Sequence, residues 1–450
     1  MLQRKAYEHL VKWKNTTDKK ALLITGARQI GKTYIIRKFA EENYSNFIEI
    51  NFITTPDVAK IFNGDLNAET ILINLTAYTQ KPLVKGDTLI FFDEIQECPS
   101  ARTAIKFLVD DGQFDYIESG SLLGVRYKEV KSYPVGYEEN YRMYPLDFEE
   151  FATANGIQPQ TIEYLKKCYD NKETITEAVH QSMLKLFQYY IIVGGMPAVV
   201  QKFVDTKDIG EVLKIQKDIL DLYRQDISKY SDNNKEKIKS IFDLIPAQLN
   251  DRNRRFTLSD IKNSARMLRY ETSFNWLADA GVALPCYNIT EPVLPLELNL
   301  QNNLFKLFLC DTGLLCAASM GNIQFDILSG DLSVNMGSIL ENVFAQELVS
   351  NGFLLRYFNK KNIGEIDFIV QKGKSTVPIE IKSGNDYTKH KALDNLIAKQ
   401  SWNINSGIVF CKGNLEIENG ITYYPWYMSM FFKQETLPEH LKVNVDIVNI

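Results

Sequence analysis

A chain of 450 residues is too long for one compact core and predicts two to four domains. With 45% hydrophobic and 24% charged residues it is neither disordered nor fibrous, and a formal net charge of -5 excludes a uniformly basic surface, so any nucleic-acid contact has to be regional. Six cysteines and four histidines form no C-x-x-C or Cys/His cluster, and no run of 18 apolar residues occurs, which predicts free thiols, no zinc site, no membrane span and a cytoplasmic setting.

Residues 1–20 read as a polar helix with Leu10, Val11 and Trp13 as packing positions. The apolar run Ala21 to Thr25 predicts a strand, and Tyr34 to Phe39 carries helical apolar spacing. Between them Gly26-Ala27-Arg28-Gln29-Ile30-Gly31-Lys32-Thr33 fits G-x-x-x-x-G-K-[ST]. A loop of this kind, opening onto a helix N-terminus, offers backbone N–H groups to phosphate oxygens. Lys32 is then expected to reach the β and γ phosphates, and Thr33 a Mg²⁺ ion.

A second strand, Phe47 to Phe52, follows at the distance of a βαβ unit and predicts a parallel sheet. Leu89-Ile90-Phe91-Phe92 suits a strand buried on both faces, and Asp93 and Glu94 close it where open α/β sheets bind ligands. Asp93 is the expected partner of the Mg²⁺, and Glu94 the group that polarises the attacking water. Phe114 to Ser121 predicts a further strand that ends in small polar residues, and Ser119 and Ser121 are both candidates for a hydroxyl that senses the γ phosphate.

With Tyr133-Pro134-Val135-Gly136, Met143 to Phe151 and Gly194-Gly195-Met196-Pro197 added, these motifs resemble a group of prokaryotic predicted ATPases of the AAA+ type. The resemblance implies an α/β fold: a P-loop NTPase parallel sheet over 1–150, a helical lid over 151–231, a winged-helix module over 232–334 and a nuclease-like α/β domain over 335–450. It also implies ATP and Mg²⁺ as cofactors and ATP hydrolysis as the activity, with an oligomer allowed. Many members carry an arginine directly after the glycine matched by Gly136, where this chain has Tyr137; Arg126, Arg142 and Arg224 are the remaining candidates for that role. Asp311 to Leu315 resembles another element of the group, to which the residues alone assign no chemistry.

The polar stretch after Asp232 marks a boundary, followed by expected helices near 235–248, 258–262 and 267–279 and a strand near 283–287. Residues 251–270 hold five Arg and one Lys against two Asp in a chain that is acidic overall. Arg252, Arg254, Arg255, Arg266 and Arg269 are therefore the expected contacts to DNA or RNA phosphates.

Farther on, a helix is expected to open with Ser338 as its N-cap, and strands are expected at 353–358, 365–370 and 377–382. Because residues two apart share a strand face, Glu380 and Lys382 point together, and a short turn at 371–376 brings Asp367 alongside. Two such carboxylates can hold Mg²⁺ while a lysine orients the attacking water, with Glu341 completing the set. The pattern Glu341, Asp367, Glu380-x-Lys382 resembles the PD-(D/E)XK nuclease fold, which implies a second metal site at Asp367 and Glu380. A chain whose C-terminal domain only binds a partner is the alternative reading.

Overall fold

Short apolar runs that bury both faces, separated by amphipathic helices, build the first half of the molecule. A computed structural model describes residues 2–120, 133–230, 234–251, 256, 270–319 and 336–435. After helix α1 (Lys5–Lys14) come β1 (Ala21–Thr25), α2 (Lys32–Asn43), β2 (Asn46–Asn51), α3 (Ala68–Thr79), β3 (Thr88–Asp93), α4 (Pro99–Asp111), β4 (Asp115–Gly120) and β5 (Glu138–Arg142). The five strands form one sheet in the order β2-β3-β4-β1-β5, every neighbouring pair parallel. Alternation decides the layers. Leu22, Ile24, Leu89, Phe91 and Ile117 face Leu10, Trp13, Ile36 and Phe39 of α1 and α2. Leu23, Ile90, Phe92 and Tyr116 face Ile71, Leu75, Ala104 and Ile105 of α3 and α4. With β4 inserted between β1 and β3, the glycine loop and the Asp93-Glu94 pair open on the same edge of the sheet.

Helices α5 (Phe148–Ala154), α6 (Pro159–Asn171), α7 (Glu177–Val193), α8 (Pro197–Thr206) and α9 (Ile209–Tyr230) fill the span expected to be helical. Asp147 and Glu150 form a capping box that starts α5, and the break between α7 and α8 falls at Gly194, whose φ is +70°. A Cβ on Gly194 would overlap the Asp311 carboxylate, and one on Gly195 the carbonyl oxygen of Leu146. These glycines are required by close approach. Asp311, fully buried, accepts hydrogen bonds from the N–H groups of Gly195 at 2.5 Å and Leu314 at 2.9 Å. The motif that had no chemistry in the sequence is thus the acceptor that closes the glycine break.

The remainder comprises α10 (Lys235–Asn250), α11 (Glu271–Asp279), β6 (Ala283–Ile289), β7 (Leu300–Leu309), α12 (Thr312–Ser319), α13 (Met336–Ser350), β8 (Arg356–Lys360), β9 (Gly364–Ile366), β10 (Phe368–Lys372), β11 (Ser375–Ile381), α14 (Lys391–Ile397), β12 (Gly407–Cys411), β13 (Glu416–Glu418) and β14 (Ile421–Pro425). The expected helix at 258–262 and the start of the one at 267–279 lie outside the described residues. One sheet runs β10-β11-β12-β14-β13, and a second runs β7-β6-β8-β9, so strands on either side of residue 335 share a sheet. Ser338 does not cap α13: the helix already runs from Met336, because Met336 and Ile339 both turn inward and extend its buried face by another turn. Tyr423, Tyr424, Trp426 and Tyr427 are buried and close the core.

Helix α13 also fastens the C-terminal part to the helical one. The Oε1 of Glu347 accepts from the Phe148 N–H at 2.9 Å and the Tyr190 hydroxyl at 2.8 Å. Gln346 Nε2 donates to Tyr190 Oη at 2.8 Å. Burial, with Asp147 adding to it, pushes the Glu347 carboxyl up from 4.5 to about 8. The folded chain therefore holds this proton more tightly than the unfolded one. That contribution is complete below about pH 4.5 and is lost as pH rises through about 8. Glu347→Gln keeps the acceptor and removes the ionisation; it should flatten the decline in denaturation midpoint between pH 5 and 8, a difference on the order of 3 kcal/mol. Parallel pH profiles of the two proteins would refute the assignment.

Candidate functional site

The loop between β1 and α2 is built from left-handed backbone. Gly26, Gln29 and Gly31 have φ of +135°, +66° and +87°, so successive N–H groups turn toward one concavity. At Gly26 a Cβ would overlap the Met143 carbonyl oxygen, which sits there because Met143 N–H bonds Thr25 O at 2.9 Å. Ala27 and Ile30 are buried beneath the loop, while Gln29 is exposed. Lys32 is 8% exposed and donates to the carbonyl oxygens of Gly26 and Ala27 at 2.9 and 2.8 Å. Burial lowers its pKa to about 8 against the pull of Glu94 and Asp93. A bound phosphate would restore the charge that burial disfavours.

Asp93 is the hub of the opposite wall. Its Oδ2 lies 3.2 Å from the Thr33 hydroxyl and accepts from Asn51 Nδ2 at 2.9 Å; its Oδ1 accepts from the Ser119 hydroxyl. Thr33, Asp93 and Ser119, called from separate stretches, therefore meet. Glu94 takes φ +54° at the strand's end, and Gln96 Nε2 donates to its carboxylate at 2.6 Å. Thr33 and Asp93 present two hard oxygens side by side, which fits a Mg²⁺ completed by phosphate and water.

The rest of the chain closes on this loop. Arg28 pairs with Asp226 of α9 at 2.6 Å, and Tyr223 donates to the Arg28 carbonyl at 3.0 Å. Arg4 donates to the Ile30 carbonyl at 3.1 Å. Pro197 lies beside Gly31, and the turn at Gly281 is pressed on Ala27. Of the candidate arginines, Arg142 donates to the Ala278 carbonyl and Arg224 is held by Asp221 and Asp243, each at 2.9 Å. Ser121, Arg126, Arg252, Arg254, Arg255, Arg266 and Arg269 lie outside the described residues.

The C-terminal acids form a second cluster. The β10–β11 register sets Phe368 opposite Ile379, which brings Asp367 beside Glu380, and Asp367 Oδ2 accepts from the Ile381 N–H at 2.8 Å. Lys382 Nζ lies 2.9 Å from Glu380. Burial, reinforced by Asp367, raises the Glu380 carboxyl to about 7. Glu341 pairs with a different lysine: its Oε2 accepts from Lys306 Nζ at 3.0 Å, and that ammonium also lies 2.7 Å from Glu365. Among the described residues no group of three or more His, Cys, Asp or Glu side chains is arranged to hold a metal ion.

Asn51, Gln96, Lys306 and Glu365 escaped the sequence reading. Asn51 lies inside an expected strand, and Gln96 two residues past Glu94, neither with a role that spacing assigns. Lys306 reads as the one polar residue in the apolar run 304–309, and only the fold brings it to Glu341.

Residues 18–152 match the family model of an AAA domain, and residues 184–324 and 336–428 match two domains of unknown function (DUF8612 and DUF4143). No curated protein matches the chain. Among solved structures it is similar to the Walker-type ATPase paby2304 of Pyrococcus abyssi, at 13% identity and TM-score 0.40 over 71% of this chain and 96% of that one. It is also similar to the Orc1 protein of Aeropyrum pernix in complex with DNA, at 12% and 0.27 over 74% and 93%. The RuvB Holliday junction branch migration motor of Thermotoga maritima follows at 13% and 0.30 over 63% and 89%. Among the described residues no helix is long and apolar enough to cross a membrane.

Proposed function

Taking residues 18–152 as an AAA domain, we propose that the chain binds and hydrolyses ATP and uses the cycle to control engagement of nucleic acid by its C-terminal half. The observation that carries this reading is the convergence of Thr33, Asn51 and Ser119 on the Asp93 carboxylate, beside Lys32 and Glu94. The loop N–H groups and Lys32 bind the β and γ phosphates. Thr33 and Asp93 are the residues that would hold Mg²⁺, which supplies charge neutralisation at the phosphates when bound. Asn51 and Ser119 orient Asp93, and Glu94, braced by Gln96, takes the proton of the attacking water.

Arg28 links this site to the rest of the chain through Asp226. A triphosphate competes with Asp226 for that guanidinium, which gives α9 a reason to respond to nucleotide. The five arginines of 252–269 remain the proposed contacts to DNA or RNA, on their charge alone. Cleavage of that nucleic acid would call for a divalent ion between Asp367 and Glu380, with Lys382 beside them; a C-terminal domain that binds without cutting is the alternative reading.

ATP turnover measured with and without DNA or RNA tests both halves. Lys32→Ala should weaken ATP binding on the order of 100-fold and remove turnover. Turnover that survives in this variant sinks the hydrolytic assignment, and turnover indifferent to every nucleic acid sinks the output.

A further inference from the structure

The phosphate loop is touched from two sides at Ala27. On one side Lys32 donates to its carbonyl oxygen at 2.8 Å, while also holding that of Gly26 at 2.9 Å. On the other, the turn between α11 and β6 rests on it: a Cβ on Gly281 would stand 2.9 Å from the Ala27 nitrogen and 3.5 Å from its Cα. Gly281 has φ +72°, a conformation that side chains rarely adopt, so the turn and the close approach both require glycine. Its N–H bonds the Ala278 carbonyl at 3.0 Å, and Arg142, at the end of β5, donates to the same carbonyl at 2.9 Å. The last turn of α11 is therefore fixed beside the phosphate loop at two points, Ala27 and Arg142.

Farther back, α11 is fixed to the basic stretch. Phe274 is buried and packs edge-on against Phe256 and Phe305, with ring centroids 5.1 and 4.8 Å away. Phe256 also donates its N–H to the Phe305 carbonyl at 2.9 Å. In the chain it directly follows Arg254 and Arg255. Phe274 and Ala278 are about one helical turn apart, ~6 Å of rise, with no loop between them to act as a hinge, so a shift at one is delivered to the other.

We propose that α11 couples the two ends: nucleotide releases the Gly281 turn, and α11 carries that movement to Phe256 and the arginines that precede it. The inference rests on the nucleotide-binding reading above. Its driving step is at Lys32. A phosphate that takes the Lys32 ammonium withdraws it from the Ala27 carbonyl, so the peptide on which Gly281 rests loses one of its two holds. The coupling is reciprocal: nucleic acid bound at Arg254 and Arg255 shifts Phe256 and thereby biases the loop toward or away from nucleotide by the same factor.

Hydrogen exchange on the full chain tests this, with ADP and Mg²⁺ as the probe and ADP binding itself followed by titration calorimetry. The amides of Ala280, Gly281 and Val282 bond to the carbonyls of Trp276, Ala278 and Leu277, so they report the turn directly. Saturating ADP should speed their exchange about 10-fold, in the range of ordinary coupling between sites, and the Phe256 amide should speed up with them. Gly281→Ala, whose methyl group holds the turn off Ala27, should lose the response at both places. Phe274→Leu, one turn away from the phosphate loop, should bind ADP as the parent does and keep the response at 280–282 while losing it at Phe256. ADP binding that leaves exchange at 280–282 unchanged, or slows it, overturns the proposal and leaves the nucleotide site standing. So does a Phe256 response that survives in both variants. A chain that binds no ADP overturns the proposal and the nucleotide-binding reading together.

Discussion

Glu94→Gln should leave ATP bound and slow its turnover by about 10²–10⁴-fold, the range set by loss of a positioned general base. The amide retains the size of the side chain and can still contact Gln96, so the wall of the site keeps its shape. What disappears is the group able to accept a proton. Asp93, one residue earlier, cannot replace it, because its two oxygens already serve Asn51, Ser119 and Thr33. Asp93→Asn is the informative contrast. It turns an acceptor into a donor facing three donors, so it should disturb Mg²⁺-dependent binding as well as turnover. A nucleotide-binding assay beside a phosphate-release assay separates the two cases, and equal loss of binding in both variants would contradict the division of labour between the acids.

Asp311→Ala should destabilise the chain by roughly 2–6 kcal/mol, because each buried N–H left without an acceptor costs about 1–3 kcal/mol. The affected groups are the N–H of Gly195 and the N–H of Leu314. Asp311→Asn should cost less, since its amide oxygen still accepts. The loss is not confined to the middle of the chain. Gly195 lies on the break that carries Pro197 against Gly31 of the phosphate loop, so Asp311→Ala should also weaken ATP binding. Chemical denaturation gives the stability change, and nucleotide titration of the folded fraction gives the coupling. A destabilised variant with unchanged ATP affinity would mean that the break supports the fold only.

The nucleotide site was legible because its chemistry is local. Eight consecutive residues define the loop, and an apolar strand places Asp93 and Glu94 at its own end. The β10–β11 hairpin was legible for a related reason: strand period and a short turn fix which side chains meet, so Asp367 and Glu380 could be paired from spacing. The lysine that joins Glu341 to Glu365 was not. Lys306 stands 35 positions before its helix partner, with no turn or period to connect them. Glu347 was hidden in the same way. In sequence it is one more acid on an amphipathic helix, and only the packing of α13 on α5 and α7 buries it between Phe148 and Tyr190.

The shared sheet β7-β6-β8-β9 determines where the polypeptide can be cut. A fragment that begins at residue 336 keeps β8 and β9 but gives up β6, leaving a hydrogen-bonding edge of β8 bare and open to pairing with another copy. It also discards Lys306, the buried ammonium that pairs with Glu341. Such a fragment is a poor reagent for asking what the C-terminal half does. A fragment that starts ahead of β6 retains both strands and both ammonium groups, but it still parts the buried Glu347 from Phe148 and Tyr190.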